Sequence, residues 1–190
     1  MFRLRVETPR AWVDAVLADL DAFLRDHAAN ERGAHAFAMA MVARYRDRGA
    51  LVTAMLGLAA EELAHLRHVV SVLAARGCAL GPDRKDRYVR ALRSHVRPGG
   101  EAGLLDRLVL GGITEARGHE RFGMLRDALP AGELRDFYTT ITASEARHHE
   151  LFGDLALRYV ETSVVLARVD ALLDVEAKIV AGLPMRPALH

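Results

Sequence analysis

Cysteine is almost absent from this chain. Its 190 residues include one cysteine, Cys78, so the chain can form neither an internal disulfide nor a four-cysteine metal module. Long apolar runs are also lacking, since the longest, residues 50–60, is about half a membrane span and is followed by Glu61 and Glu62. The first residues show no apolar segment of the secretory type. We therefore expect a soluble, cytoplasmic protein without a membrane partner.

An excess of charge of one sign is lacking as well. The chain has 26 Lys and Arg against 25 Asp and Glu, which gives a formal net charge of +1. A chain of this balance has no overall field that would attract a polyanion, so a nucleic acid would have to meet a local basic patch. We expect no DNA partner.

Strand signals are missing, and proline and glycine interrupt the chain at few places. The apolar residues between these interruptions recur with helical spacing. The pattern predicts an all-α fold in one domain, residues 1–190. It places helices at about 9–27, 28–49, 50–76, 101–129, 131–159 and 163–181, so that two helical hairpins, 28–76 and 101–159, lie between an extra N-terminal and an extra C-terminal helix.

One arrangement of ligand-type residues occurs twice, once in each hairpin. A glutamate on the first helix is followed 31 or 30 positions later by Glu-x-x-His on the second. The six residues are Glu31, Glu62, His65, Glu115, Glu145 and His148. This is the ligand pattern of ferritin-like di-iron or di-manganese four-helix bundles. Buried carboxylates are costly without a cation, and carboxylate with imidazole suits iron or manganese.

Two further histidines stand four residues after the first glutamate of each hairpin, His35 after Glu31 and His119 after Glu115. That spacing would place them on the same helical face as the glutamates. We interpret them as residues that support the ligands or lie on the surface, and not as ligands themselves.

A basic segment separates the two hairpins. Six cationic residues stand there against one acidic residue, Asp86, and most of them share one helical side. They are Arg84, Lys85, Arg87, Arg90, Arg93 and Arg97. Such a cluster predicts contacts with nucleic-acid phosphates, and Tyr88 within it is a candidate for stacking on an unpaired RNA base. A solvated helix that connects the two hairpins is the alternative interpretation.

Four short strings of the chain carry a family resemblance. They are Asp26-His-Ala-Ala-Asn-Glu31, Glu61-Glu-Leu-Ala-His65, Glu115-Ala-Arg-Gly-His-Glu-Arg-Phe122 and Ser144-Glu-Ala-Arg-His148. Over about residues 8–160 the chain resembles the tRNA 2-methylthio-N6-isopentenyladenosine hydroxylases, the MiaE-like family with a ferritin-like fold.

The resemblance implies a non-haem di-iron monooxygenase. Such an enzyme would hydroxylate the isopentenyl group of the modified adenosine beside the tRNA anticodon, with O₂ as co-substrate and electrons from an external donor. It would hold two iron ions on the six residues of the repeat, with manganese as the alternative metal. No catalytic residue beyond the metal ligands is implied.

Two other classes of function remain open from the sequence. The same bundle could serve a di-iron oxidase or oxygenase acting on a small molecule, or a manganese catalase. It could also belong to a non-enzymatic iron-binding protein of the ferritin type. The basic segment favours the tRNA enzyme.

Overall fold

A computed structural model describes residues 1–82 and 86–190. These residues form seven α-helices and no strand, which confirms the all-α prediction. The helices are α1 (Arg10–Ala18), α2 (Leu20–Arg44), α3 (Gly49–Ala75), α4 (Arg87–Arg93), α5 (Gly100–Ala128), α6 (Glu133–Tyr159) and α7 (Thr162–Ala181). The chain divides into two compact units, one of Asp14–Arg84 with Arg186–Leu189 and one of Met1–Val13, Lys85–Met185 and His190.

The first unit is built on the hairpin of α2 and α3. The sequence prediction placed a helix break near residue 28, and this prediction was wrong, since the break lies at Asp19. The Asp19 side chain accepts a hydrogen bond from the backbone N–H of Ala22 at 3.0 Å, which caps the start of α2. Neither proline, glycine nor a capping side chain interrupts the chain at residue 28, so α2 continues through it.

The end of α3 follows from one glycine. Gly77 has a φ of +71°, a conformation that glycine adopts without strain. Because the chain turns there, the N–H of Cys78 reaches the carbonyl of Leu73 at 2.9 Å, and that of Gly77 reaches Ala74 at 2.9 Å. This pair of bonds is the Schellman arrangement that closes many helices. Among the described residues, α3 is the one helix long and apolar enough to cross a membrane, a test that core helices also pass.

The second unit packs α5 against α6, with α4 and α7 alongside α5. Close packing on α5 depends on two glycines. A β-carbon at Gly111 would lie 2.7 Å from the ring of Phe152, and one at Gly112 would lie 2.3 Å from the ring of Phe2. Each ring fills the space that a side chain at the glycine would need. The two glycines therefore allow Phe152 and Phe2 to pack directly against the backbone of α5.

Candidate metal centre

The first hairpin brings together three of the predicted ligands. Glu31 lies on α2, and Glu62 and His65 lie one turn apart on α3. His65 Nδ1 is 3.4 Å from Glu31 Oε2 and 3.6 Å from Glu62 Oε2. Glu31 is 3% exposed and Glu62 is 1% exposed, so both carboxylates are removed from water. We call these three residues the first half-site.

The second hairpin repeats the arrangement. Glu115 lies on α5, and Glu145 and His148 lie on α6. His148 Nδ1 is 3.9 Å from Glu115 Oε2 and 4.0 Å from Glu145 Oε1. The other ring nitrogen, Nε2, is 3.3 Å from the hydroxyl of Ser144, so Nδ1 is the nitrogen directed towards the carboxylates. We call Glu115, Glu145 and His148 the second half-site.

The donor atoms of each half-site fit a divalent cation. Within each triplet, one carboxylate oxygen or imidazole nitrogen per residue lies within 4.8 Å of the others. Among the described residues, the buried oxygen Glu31 Oε2 makes no hydrogen bond of normal geometry, although buried carboxylate oxygens nearly always have a partner. Each half-site offers two carboxylates and one imidazole, which is the donor chemistry of iron and manganese sites. Each half-site is therefore a candidate metal site.

The surroundings of the first half-site also shift the pKa values of Glu31 and His65. Burial alone would raise the pKa of Glu31, but the neighbouring His27 and His65 rings outweigh burial and hold that pKa below its ordinary value. Burial alone would lower the pKa of His65, but the carboxylates of Glu31 and Glu62 raise it to about 9. The two carboxylates thus favour a positive charge beside them, which is the property expected of a cation site.

His27 is a functional candidate that was not predicted from the sequence. The ring is fully buried, and Nε2 lies 2.6 Å from Glu31 Oε1. The available signal was its position four residues before Glu31, which places both side chains on one helical face.

His35 and His119 have matching positions in the two hairpins. Nδ1 of His35 is 2.8 Å from the carbonyl oxygen of Ala59 on α3. Nδ1 of His119 is 2.9 Å from the carbonyl oxygen of Thr142 on α6. Each ring thus fastens the two helices of its own hairpin by a backbone contact, in accord with its placement outside the ligand set.

The predicted RNA-binding residues differ in their surroundings. Arg87, Arg90 and Arg93 lie exposed on α4. Arg97 instead binds a buried carboxylate, with Nη2 2.7 Å from Asp106 Oδ1. Arg84 and Lys85 lie outside the described residues.

The prediction that Tyr88 stacks on an RNA base was wrong. Its side chain is 1% exposed, and its hydroxyl donates to Glu176 Oε1 at 3.2 Å. Its ring is already stacked on His190, with 4.6 Å between the ring centroids. Tyr88 therefore fixes the inner face of α4, while the arginines occupy the outer face.

Comparison with known proteins supplies the family. A family model described as tRNA-(MS[2]IO[6]A)-hydroxylase (MiaE) matches residues 2–190. The chain belongs to the MiaE family. A relative from Pseudomonas putida, tRNA 2-(methylsulfanyl)-N(6)-isopentenyladenosine(37) hydroxylase, is 36% identical over 173 residues, which is 91% of this chain and 84% of the relative.

A second relative supports the family, and a solved structure supports the fold. A Salmonella typhimurium protein with the same name is 33% identical over 130 residues, covering 68% of this chain and 47% of that protein. The solved structure of "Protein 43 with aldehyde deformylating oxygenase activity from Synechococcus" superposes with a TM-score of 0.93 at 34% identity. It covers 98% of this chain and 94% of the Synechococcus chain, so the fold is ferritin-like and all-α, as predicted.

Proposed function

We propose that this protein is an O₂-dependent di-iron monooxygenase that hydroxylates the isopentenyl group of 2-methylthio-N6-isopentenyladenosine next to the tRNA anticodon. The observation that carries the proposal is family membership over residues 2–190, together with a Glu, Glu, His triplet in each hairpin. The reaction balances as R–CH₃ + O₂ + 2e⁻ + 2H⁺ → R–CH₂OH + H₂O, so an external electron donor is needed. A tRNA substrate accords with the cytoplasmic location expected from the sequence.

The two half-sites would hold the metal ions. Glu31, Glu62 and His65 would serve one ion, and Glu115, Glu145 and His148 the other, with iron preferred and manganese as the alternative. When bound, the two iron ions supply the activation of O₂ and the storage of electrons. The chain supplies these ligands already grouped, four of them buried and His65 and Glu115 partly buried, so that little reorganisation would be needed when the metal binds.

The chain also keeps water away from the ligands. Fully buried apolar side chains lie one turn before and one turn after each Glu-x-x-His pair. They are Leu58 and Val69 on α3, and Ile141 and Phe152 on α6. A dry, apolar environment of this kind protects a reactive intermediate from side reactions and accepts a prenyl chain.

The exposed arginines of α4 would serve the tRNA. Arg87, Arg90 and Arg93 present three positive charges on a short helix with no acidic residue inside it. Contacts of arginine with phosphate position a nucleic acid without reading its sequence. Recognition of the modified adenosine would then depend on the site that receives its prenyl group. Arg97 is assigned a different role, since Asp106 engages its guanidinium.

The test is nucleoside mass spectrometry on prenylated tRNA incubated with iron-loaded protein, a reductant and ¹⁸O₂. We expect one ¹⁸O atom on the isopentenyl adenosine with the wild-type protein and none with Glu115→Ala. An unchanged nucleoside, with two iron ions per chain and a working electron donor, would overturn the proposal. Parallel assays with an aldehyde and by gel filtration would then identify a small-molecule oxygenase or a cage-forming iron-binding protein.

A further inference from the structure

The two half-sites differ in the residue that stands four positions before their first glutamate, Glu31 or Glu115. In the first, His27 stands four residues before Glu31 and contacts it through Nε2 at 2.6 Å from Oε1. The ring has no exposed surface and lies 6.0 Å from the ring of Phe23, measured between centroids. This contact engages one oxygen of Glu31, and the other, Oε2, is the one that lies 3.4 Å from His65 Nδ1.

The second half-site has no side chain at the corresponding position. Four residues before Glu115 the chain has Gly111. A β-carbon there would lie 2.7 Å from Cε1 of Phe152, so the space that a histidine would need is filled by that ring. The internal repeat is therefore broken at this position, with a histidine that contacts Glu31 in the first hairpin and an apolar ring against Gly111 in the second.

We propose that His27 is a positioning residue that makes the two metal sites inequivalent. By donating from Nε2 to Oε1, it holds Glu31 so that Oε2 alone is presented to the metal ion. Glu115 has no such restraint at Gly111 and keeps both of its oxygens available. This inference rests on the proposed metal ligands but not on the tRNA substrate. It assigns the first half-site a carboxylate with one coordinating oxygen and a more rigid geometry.

A hydrogen bond to a ligating carboxylate restricts its rotation and strengthens metal binding, and removal of such a partner typically costs about 10- to 100-fold in affinity. The affected ion should be the one held by Glu31, Glu62 and His65. The ion at Glu115, Glu145 and His148 should keep its affinity, because no histidine stands behind Glu115.

The experiment compares metal binding by the wild-type protein, His27→Leu, His27→Gln and the control His35→Leu. The leucine removes the donor, whereas the glutamine places an amide N–H near the position of Nε2. His35 is a matched control because it is the same distance from Glu31 along α2 but bonds to a backbone carbonyl. Anaerobic titration with Fe²⁺ gives the two affinities, and Mössbauer spectra of ⁵⁷Fe-loaded protein show whether the two ions differ.

We expect two distinct iron environments in the wild-type protein and in His35→Leu. His27→Leu should weaken one of the two ions by about 10- to 100-fold and alter one of the two spectral components. His27→Gln should restore both measurements to near the wild-type values. Equal weakening of both ions, or an unchanged affinity and spectrum in His27→Leu, would overturn the inference.

Two further measurements cover the case in which His27→Leu does not fold. Circular dichroism of the metal-free variants shows whether His27→Leu has folded. Should it fail to fold, ¹⁵N NMR of the wild-type imidazole decides, since an unprotonated Nε2 on His27 would contradict the proposed donation to Glu31. Wild-type protein that binds no metal would count against the proposed function, whereas two bound ions unaffected by His27→Leu would count against His27 alone.

Discussion

Arg117 and Glu176 form an ion pair with no exposed surface on either side chain. Arg117 Nη2 lies 2.8 Å from Glu176 Oε1, which joins α5 to α7 within the second unit. The same guanidinium donates to the carbonyl of Val6 at 2.9 Å and to the hydroxyl of Thr8 at 3.1 Å. Arg117 belongs to one of the strings that carry the family resemblance and stands two residues after the proposed ligand Glu115. Its contacts join α5 to α7 and to the N-terminal segment.

Removing one partner of this pair should be far more harmful than removing both. Arg117→Met leaves the Glu176 carboxylate buried without its cation, and we expect a decrease of about 3–5 kcal/mol in the free energy of unfolding. The double variant Arg117→Met/Glu176→Leu should regain at least half of that decrease, because the carboxylate that lost its partner is removed as well. Urea unfolding followed by circular dichroism measures both, with the exposed Arg135→Ala as control. A single variant as stable as the control would contradict this prediction.

A second prediction concerns acid stability and Asp106. Burial would raise the pKa of this carboxyl, but hydrogen bonds from Arg97 and Arg168 outweigh burial and lower its pKa from 3.8 to about 2. A group whose pKa is lower in the folded state stabilises the fold above its unfolded pKa, and this stabilisation is lost as the pH falls. Asp106 should therefore contribute about 2 kcal/mol above pH 4 that disappears between about pH 4 and pH 2.

The measurement is urea unfolding of the wild-type protein and Asp106→Asn across that pH range. Other carboxylates titrate in both proteins, so the difference between the two isolates Asp106. The difference should be largest near neutral pH and shrink as the pH falls to about 2. A difference that stays constant over the range would show that Asp106 does not ionise with a lowered pKa.

A third prediction tests the metal ligands directly. Glu115→Ala or His148→Ala should lose one or both metal ions, because each removes a donor from the second half-site, while the helical content stays at the wild-type level. Metal content by plasma mass spectrometry and far-ultraviolet circular dichroism give the two readouts. Glu150→Ala provides the control, since Glu150 is an exposed glutamate on the same helix, α6. Full occupancy in the two ligand variants would contradict the assignment.

A fourth prediction concerns tRNA affinity. The triple variant Arg87→Ala/Arg90→Ala/Arg93→Ala should bind tRNA more weakly and with a smaller dependence on salt, by about 0.7–0.9 in the logarithmic slope for each phosphate that is no longer neutralised. Its metal content should not change. Filter binding at several salt concentrations measures the slope, with Arg135→Ala/Arg158→Ala on α6, which removes two positive charges instead of three, as the control. Equal slopes for the two variants would remove α4 from the RNA interface.

The helices and the repeat were predictable because they depend on local patterns. Helical periodicity and glycine or proline interruptions located α3, α5, α6 and α7 to within a few residues. The start of α2 was misplaced because a single capping aspartate, Asp19, outweighed the weak change in pattern near residue 28. A single capping side chain hardly changes the spacing of the apolar residues, so helical periodicity does not show where such a helix begins.

The functional roles of single side chains were harder to predict than the helices. The sequence could not reveal that Tyr88 lies inside and Arg97 binds Asp106, because both follow from partners 88 and 9 residues away. His27 was recognisable by its spacing from Glu31, but whether a histidine at that spacing contacts the carboxylate depends on burial. Pattern alone thus identifies candidate ligands more readily than the residues that support them.

The way α4 is held in place has a consequence for the thermodynamics of the RNA contact proposed for it. The Asp86 carboxylate accepts from the N–H of Val89 at its start, and buried Tyr88 holds its inner face. A disordered basic segment would lose about 1–2 kcal/mol of conformational entropy for each residue that becomes ordered on its target. In α4 that entropy has been lost during folding, so Arg87, Arg90 and Arg93 would meet a polyanion as a preformed array, and their proposed contact with tRNA would gain from the release of its counterions without that cost.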